Sequence, residues 1–288
     1  KAGIEHEFIY VDDGSRDDTF KEIEKLCERE SNVKGISFSR NFGKEAAIFA
    51  GLKAAAGEAV AVLDCDMQHP PEILPEMYEK FKEGYDVVEG KKSHRGKEGA
   101  GHKLFANIFY GLMSKLMKID MSDSSDYKLM GRNVVDTLLS LPERQTFFRA
   151  LSFWVGFNST TVLFEVKDRE NGESKWSTWG LIRYAINNAT SFSTAPLHLV
   201  SVAGIMTIIF SIVMMIQTLF NYINHRAVEG FTTVILLILM IGGIIMLGLG
   251  IIGIYIARIY EEVKGRPKYI IKKVTGDIHG EVCGEWKR

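Results

Sequence analysis

Two long, uncharged apolar runs, roughly Pro196 to Phe220 and Phe231 to Ala257, stand apart from everything upstream of them. Each exceeds the ~20 residues that a helix needs to cross a bilayer, so the pattern predicts two transmembrane helices within 196–257. Before them, short apolar runs alternate with stretches of helical period. Glu7 to Val11 reads as a strand ending in the turn Asp12-Asp13-Gly14-Ser15. A helix follows, capped by Asp17 or Asp18, with Phe20, Ile23 and Leu26 at helical spacing. The alternation continues through a strand at Val33–Phe38, an Ala-rich helix at Glu45–Ala56, a strand at Ala59–Leu63, a helix at Pro71–Phe81 and a strand at Asp86–Glu89. Such a sequence predicts an open, mostly parallel α/β sheet, in which ligands bind at the carboxyl ends of strands. Asp12-Asp13 and Asp64-Cys65-Asp66 both fall at such ends.

Further along, Gly96 to Gly101 reads as a mobile loop of the kind that covers sites, and Leu104 to Met117 as an amphipathic helix. Asn133 to Leu141 reads as a short helix, Arg144 to Trp154 as a basic and aromatic segment, and Thr160 to Val166 as a strand. Trp179, Ile182, Ile186 and Ala189 share one helical face, as expected of a helix lying in a lipid interface. The domains read as a head at 1–176, an interfacial amphipathic helix at 177–195, the two spans at 196–257 and a tail at 258–288.

Composition changes this picture little, because 46% hydrophobic and 25% charged residues average two unlike segments. A net charge of −1 argues against a nucleic-acid partner, which favours a strong basic excess. Three scattered cysteines, Cys27, Cys65 and Cys283, fit a reducing compartment better than a disulfide framework. The loop Asn221–Gly230 holds only Arg226, whereas Arg258, Lys264, Arg266 and Lys268 follow the second span; this bias places head, tail and both termini on the cytoplasmic side of the plasma membrane. The chain opens at Lys1 without an apolar leader, so no secretory signal is expected, and the non-Met start points to a segment upstream.

The chemistry centres on Asp64-Cys65-Asp66. Two carboxylates one residue apart at a strand end present hard oxygen to a divalent cation, and Mg²⁺ takes one or two protein carboxylates together with substrate phosphates. Acidic residues at strand ends are also common as plain turns. Asp12 and Asp13, at a neighbouring strand end, can accept hydrogen bonds from a nucleobase or ribose, or serve as a turn or helix cap. In Ser39-Arg40-Asn41-Phe42-Gly43-Lys44-Glu45, a flexible Gly, a helix start and a cation favour an anion at Lys44; a surface lysine is the plain alternative.

Taken together, these residues resemble the polyisoprenyl-phosphate glycosyltransferases, which include bactoprenol glucosyltransferases and, more distantly, dolichol-phosphate mannose synthases. The resemblance covers essentially the whole chain. It rests on Val11-Asp12-Asp13-Gly14-Ser15, the Ser39–Glu45 run, Asp64-Cys65-Asp66-Met67-Gln68-His69-Pro70-Pro71-Glu72, Ser125-Asp126-Tyr127-Lys128-Leu129-Met130, Gly172-Glu173-Ser174-Lys175-Trp176 and Arg258-Ile259-Tyr260-Glu261-Glu262-Val263-Lys264. It implies a nucleotide-sugar-binding α/β glycosyltransferase domain that moves one hexose, with inversion, from a nucleotide diphosphate to undecaprenyl phosphate at the cytosolic membrane face. The expected donor is UDP-glucose, with GDP-mannose as the alternative, and the expected cofactor is Mg²⁺ or Mn²⁺.

By the same resemblance Asp12 recognises the base, with Asp13 beside it; Asp64 contacts the donor, and Asp66 with Gln68, alongside Asp64, holds the metal. Asp126 matches the family's catalytic aspartate. Arg149 and Lys175 stand where the family places cations on donor or acceptor phosphate, and Lys92 falls near another. A phosphate monoester, with a second pKa of about 6, is already largely an anionic nucleophile at neutral pH, so Asp126 is expected to position rather than to act as a base. His69 reads as a polar loop residue and not a ligand, and Trp176 and Trp179 as interfacial anchors. The family's first strand, with its Pro-x-Tyr-Asn-Glu-like turn, is missing from the chain as given, which leaves the sheet one strand short. From another class, a membrane-tethered receiver domain would also place Asp12, Asp13 and Asp64 at strand ends; a processive polysaccharide synthase would need more spans and a Gln-x-x-Arg-Trp motif. Two spans bury little helix surface, so self-association into a homo-oligomer is plausible.

Overall fold

The computed structural model describes residues 3–65, 69–93, 125–143, 147–164, 195–224 and 230–277. The chain divides into two compact units, Lys1–Lys175 with Arg266–Arg288, and Trp176–Gly265. The loop expected at Gly96–Gly101, the helix at Leu104–Met117 and the interfacial helix at 177–195 lie outside the described residues.

The first unit opens with strand β1 (Phe8–Asp12), helix α1 (Thr19–Arg29) and strand β2 (Val33–Phe38). β1 and β2 pair in parallel, Phe8 against Val33 through Asp12 against Ser37. Gly14, just past β1, has φ +70°, and a Cβ there would lie 2.4 Å from the backbone carbon of Arg40; only glycine lets this turn cross the Ser39–Gly43 loop so closely. Helix α2 (Lys44–Ala54) packs on β2 through Ala46, Ala50 and Ala54, spaced four residues apart, which bury against Ile36 and Phe38. Small side chains on that stripe let helix and sheet approach closely.

Strand β3 (Ala59–Val62) leads through a single 3₁₀ turn at Pro71–Ile73 to helix α3 (Leu74–Lys82) and strand β4 (Val87–Lys92). Strand β5 (Lys128–Gly131), helix α4 (Arg132–Ser140), helix α5 (Phe148–Trp154) and strand β6 (Ser159–Phe164) follow. A second core joins α3 to this sheet through Met77, Val88, Tyr127, Leu129, Val162 and Phe164.

The sheet expected to be mostly parallel is mixed. Among the described residues it consists of β1-β2-β7 and β3-β5-β4-β6, where β7 is Ile271–Thr275. Only β1–β2 and β4–β6 are parallel; β2–β7, β3–β5 and β4–β5 are antiparallel. The difference lies in β5, which enters between β3 and β4, and β7, which adds beside β2; each runs against the strands it pairs with, a pairing that the alternation of neighbouring segments does not register. β1 and β3 are each paired on one side only among the described residues. The two sheets are tied instead through the end of α2. Glu7 accepts the Ala56 amide at 2.7 Å, and Arg132 donates to the Ala55 carbonyl at 2.8 Å.

The second unit holds helices α6 (Ala195–Ile223) and α7 (Phe231–Lys264), which contact each other. Within them Val200–Asn221 and Met240–Lys264 are long and apolar enough to cross a membrane. A core helix of a soluble protein would bury such side chains, yet Met206 is 62% exposed, Leu219 58% and Met246 69%.

Candidate active site

Each side chain of the site is set by the end of a regular element. Lys44 opens α2, Asp64 follows β3, Asp126 precedes β5, and Arg149 sits in the first turn of α5. They converge on one carboxyl. Asp126 Oδ2 accepts from Lys44 Nζ and from Arg149 Nη2, both at 2.9 Å, while Oδ1 accepts from Arg149 Nε at 3.1 Å. The guanidinium thus grips the carboxylate as a fork, the geometry that suits Arg better than Lys. Lys44 Nζ also donates to Asp64 Oδ2 at 2.7 Å and so bridges the two acidic segments.

Charge follows geometry. Burial alone would raise the Asp126 pKa, but Arg149 and Lys44 outweigh it and hold the carboxyl at about 2. A group so acidic is a poor proton acceptor at neutral pH. Lys44 is likewise pulled downward by burial, yet Asp126 and Asp64 leave it raised. Next to it, burial pushes Glu45 up to about 7, against the hydrogen bond that its Oε2 accepts from the Phe148 amide at 2.7 Å; Asp126 adds to the rise, and Lys44 and Arg149 oppose it.

The strand-end acids at Asp12 and Asp13 are engaged inside the head. Asp12 is buried, accepting from the Ser15 amide at 3.0 Å and from Ser37 Oγ at 2.9 Å. Asp13 reaches across to the next loop and accepts from the amides of Phe42 at 2.7 Å and Gly43 at 2.9 Å. These amides immediately precede α2, so Asp13 fixes the start of the helix that presents Lys44. Lys92 ends β4 opposite Phe164, and its side chain lies outside the described residues, as do Asp66, Gln68 and Lys175.

Four residues close to the site carry roles that local pattern did not reveal. His69, expected as a polar loop residue, is buried; its Nδ1 accepts from the Asp64 amide at 3.3 Å. Glu89 and Lys128 form a buried ion pair at 2.9 Å, 4% and 1% exposed at their side chains, and Glu89 also accepts from the Ser125 amide beside Asp126. Glu45 lies within the Ser39–Glu45 run. An acid among the apolar residues of Val87-Val88-Glu89 was the one readable signal for Glu89.

Residues 3–138 match the model of Glycosyl transferase family 2. The CsbB protein of Bacillus subtilis (strain 168) is 41% identical over 94% of this chain and 83% of its own. The chain belongs to glycosyl transferase family 2. Two further relatives extend the likeness across the apolar helices. The SfII prophage-derived bactoprenol glucosyl transferase of Shigella flexneri is 39% identical over 93% of this chain and 88% of its own. The prophage bactoprenol glucosyl transferase homolog of Escherichia coli (strain K12) is 38% identical over 94% and 89%. The protein is therefore a glycosyltransferase, and the receiver-domain reading is set aside. For a family 2 glycosyltransferase, a carboxylate between two cations at the ends of β3 and β5 is suited to phosphate-bearing ligands, since Lys44 and Arg149 remain 46% and 20% exposed at their side chains.

Proposed function

We propose that this glycosyltransferase moves one glucose from UDP-glucose to the phosphate of undecaprenyl phosphate at the cytosolic face of the plasma membrane, with inversion at the anomeric carbon. The observation that carries the reading is the double clasp of Asp126 by Lys44 and Arg149. In it an acceptor phosphate oxygen forms the new bond to the sugar C1, the C1–oxygen bond to UDP breaks on the opposite side, and UDP leaves with the electron pair. The nucleophile is an anion already, so the site need not remove a proton. Its task is to hold two anionic substrates together and to stabilise the leaving diphosphate, for which fixed cations are apt. Asp126 at a pKa of about 2 stays ionised and keeps both cations aimed into the site.

Asp64 offers hard carboxylate oxygen that is 33% exposed at its side chain, the kind of donor that a divalent cation takes. With Asp66 and Gln68 it would hold Mg²⁺ or Mn²⁺, which supplies charge neutralisation for the departing diphosphate. The relatives named as bactoprenol glucosyl transferases support the lipid acceptor and the sugar. The two apolar helices support membrane insertion. The chain leaves the head, passes through both helices and rejoins the head as β7, so an even number of crossings returns it to one side. The Lys/Arg bias makes that side the cytosol.

Radiolabelled UDP- and GDP-sugars offered with undecaprenyl phosphate in detergent, with and without Mg²⁺, test the reading. Metal-dependent label on the lipid from UDP-glucose is the expected result. Label from GDP-mannose alone would replace the donor, and label from no donor would overturn the reaction.

A further inference from the structure

We infer that Glu45 is a positioning residue for this transfer, whose carboxyl holds α5 against the first turn of α2 so that Arg149 and Lys44 meet on Asp126. The inference rests on the proposed phosphate-transfer reading of the same site. Its basis is a pairing of neighbours. Lys44 and Glu45 are consecutive on α2; Phe148 and Arg149 are consecutive on α5. Lys44 reaches Asp126, which Arg149 grips, while Glu45 Oε2 accepts from the Phe148 amide at 2.7 Å. Consecutive helical residues point about 100° apart, so two adjacent contacts fix both the distance and the rotation of α5 relative to α2.

The short helix needs such a fastening. α5 spans seven residues, Phe148–Trp154, too few to be stable by its own hydrogen bonds. The Phe148 amide belongs to the first turn, whose N–H groups have no partner within the helix, and an acceptor from outside satisfies it. Arg149 is the next residue, so any slide of α5 moves the guanidinium off Asp126. A misplacement of about 1 Å in such a group can cost roughly 10²-fold in rate. The hydrogen bond requires an acceptor oxygen at the right reach and no charge, because a neutral carboxyl or a carboxamide also accepts through its carbonyl. Asp in this place keeps the charge but withdraws the oxygen by about 1.5 Å, one carbon–carbon bond, beyond hydrogen-bonding distance.

The test compares Glu45→Ala, Glu45→Asp and Glu45→Gln in the full chain, reading sugar transfer and, independently, hydrogen exchange of the 148–154 amides. Ala and Asp are expected to lower kcat/KM about tenfold or more and to speed exchange in α5, whereas Gln stays within about threefold on both readouts. In an Arg149→Ala background, Glu45→Ala is expected to cost less than threefold further, since the two act through one contact. Activity retained by Asp and lost by Gln would make charge the requirement and overturn the inference, as would unchanged exchange in α5 or fully additive losses. If Glu45→Ala does not fold, the Asp and Gln pair decides. If the wild-type enzyme labels no lipid, the reading of the reaction fails and the exchange arm alone decides the role of Glu45.

Discussion

His69 stacks on Tyr127, ring centroids 4.9 Å apart and planes 23° from parallel. The stack joins two acidic segments through their neighbours. His69 holds the Asp64 amide, and Tyr127 follows Asp126 directly and donates its hydroxyl to the Pro70 carbonyl at 2.8 Å. Because a backbone amide can only donate, His69 Nδ1 is the acceptor in this bond. Gly90 makes room for this arrangement, since a Cβ there would come within 2.8 Å of the Tyr127 ring. His69→Ala is expected to cost about 1–3 kcal/mol by leaving the Asp64 amide unsatisfied and removing the stack. Tyr127→Phe, which keeps the ring, is expected to cost about 1 kcal/mol. Thermal unfolding in detergent orders the two; a larger loss from Tyr127→Phe would make the hydroxyl, and not the stack, the tie.

Asp126→Asn separates positioning from proton abstraction. Asn keeps the shape and one acceptor oxygen but loses the charge that draws Lys44 and Arg149 together. Since the acceptor phosphate is already anionic, turnover is expected to fall yet to exceed that of Asp66→Asn, which removes a proposed metal ligand. Lower turnover in Asp126→Asn than in Asp66→Asn would overturn the positioning role.

Much of this was legible in the sequence where the signal is local. The apolar runs, the β1-α1-β2 alternation and the strand at Val33–Phe38 follow from periodicity within a dozen residues. Asp64, Asp126, Lys44 and Arg149 stood out by residue type and motif, and the fold brings them together. What was hidden depends on partners far away along the chain. Glu45 meets Phe148 across 103 positions, and Glu89 meets Lys128 across 39, so no window of sequence shows either bond. β5 was hidden because Lys128-Leu129-Met130-Gly131 is too short to display a period, and its lysine is buried by an ion pair that compensates the charge. The same long-range pairing explains why alternation misled about strand direction.

The pH dependence of stability should carry the signature of Glu45. Its folded pKa of about 7 lies above the ordinary value of 4.5. A raised acid pKa means that the folded state holds the proton more tightly, so its contribution is fully present below about 4.5 and is lost as pH rises through about 7. Glu45→Gln, which cannot ionise, is expected to match wild type at pH 4.5 and to exceed it by about 1–3 kcal/mol at pH 8. Asp126 runs the other way. With a folded pKa of about 2 against 3.8, it stabilises above pH 3.8 and loses that contribution as pH falls through 2. Unfolding measured from pH 4.5 to 8 checks the first; equal curves for wild type and Glu45→Gln would place the carboxyl in an ordinary solvated setting.

The segment after the second apolar helix, expected as a tail, is a strand of the head. β7 pairs antiparallel with β2, placing Val274 against Ile36 and Ile271 against Phe38. Tyr269 stacks on Phe38 at 5.0 Å, and Lys268 lies 4.7 Å over the Phe49 ring. The basic pair Lys272-Lys273 obscured this strand, although an edge strand favours outward lysines that discourage further pairing, and Lys273 meets Glu24 of α1 in an ion pair. Removing residues 269–288 would strip β2 of one partner and uncover Ile36 and Phe38, which are 0% and 1% exposed in the intact protein. The expected outcome is a head that unfolds at a lower temperature by ten degrees or more, on the order of the loss of two large apolar contacts and a strand ladder. Tyr269→Ala, which keeps the strand and deletes the stack, is expected to cost about 1–2 kcal/mol. Thermal unfolding of both variants decides it: if the truncated protein unfolds at the wild-type temperature, β7 is a passive tail, and the return of the chain to the head no longer supports an even number of crossings.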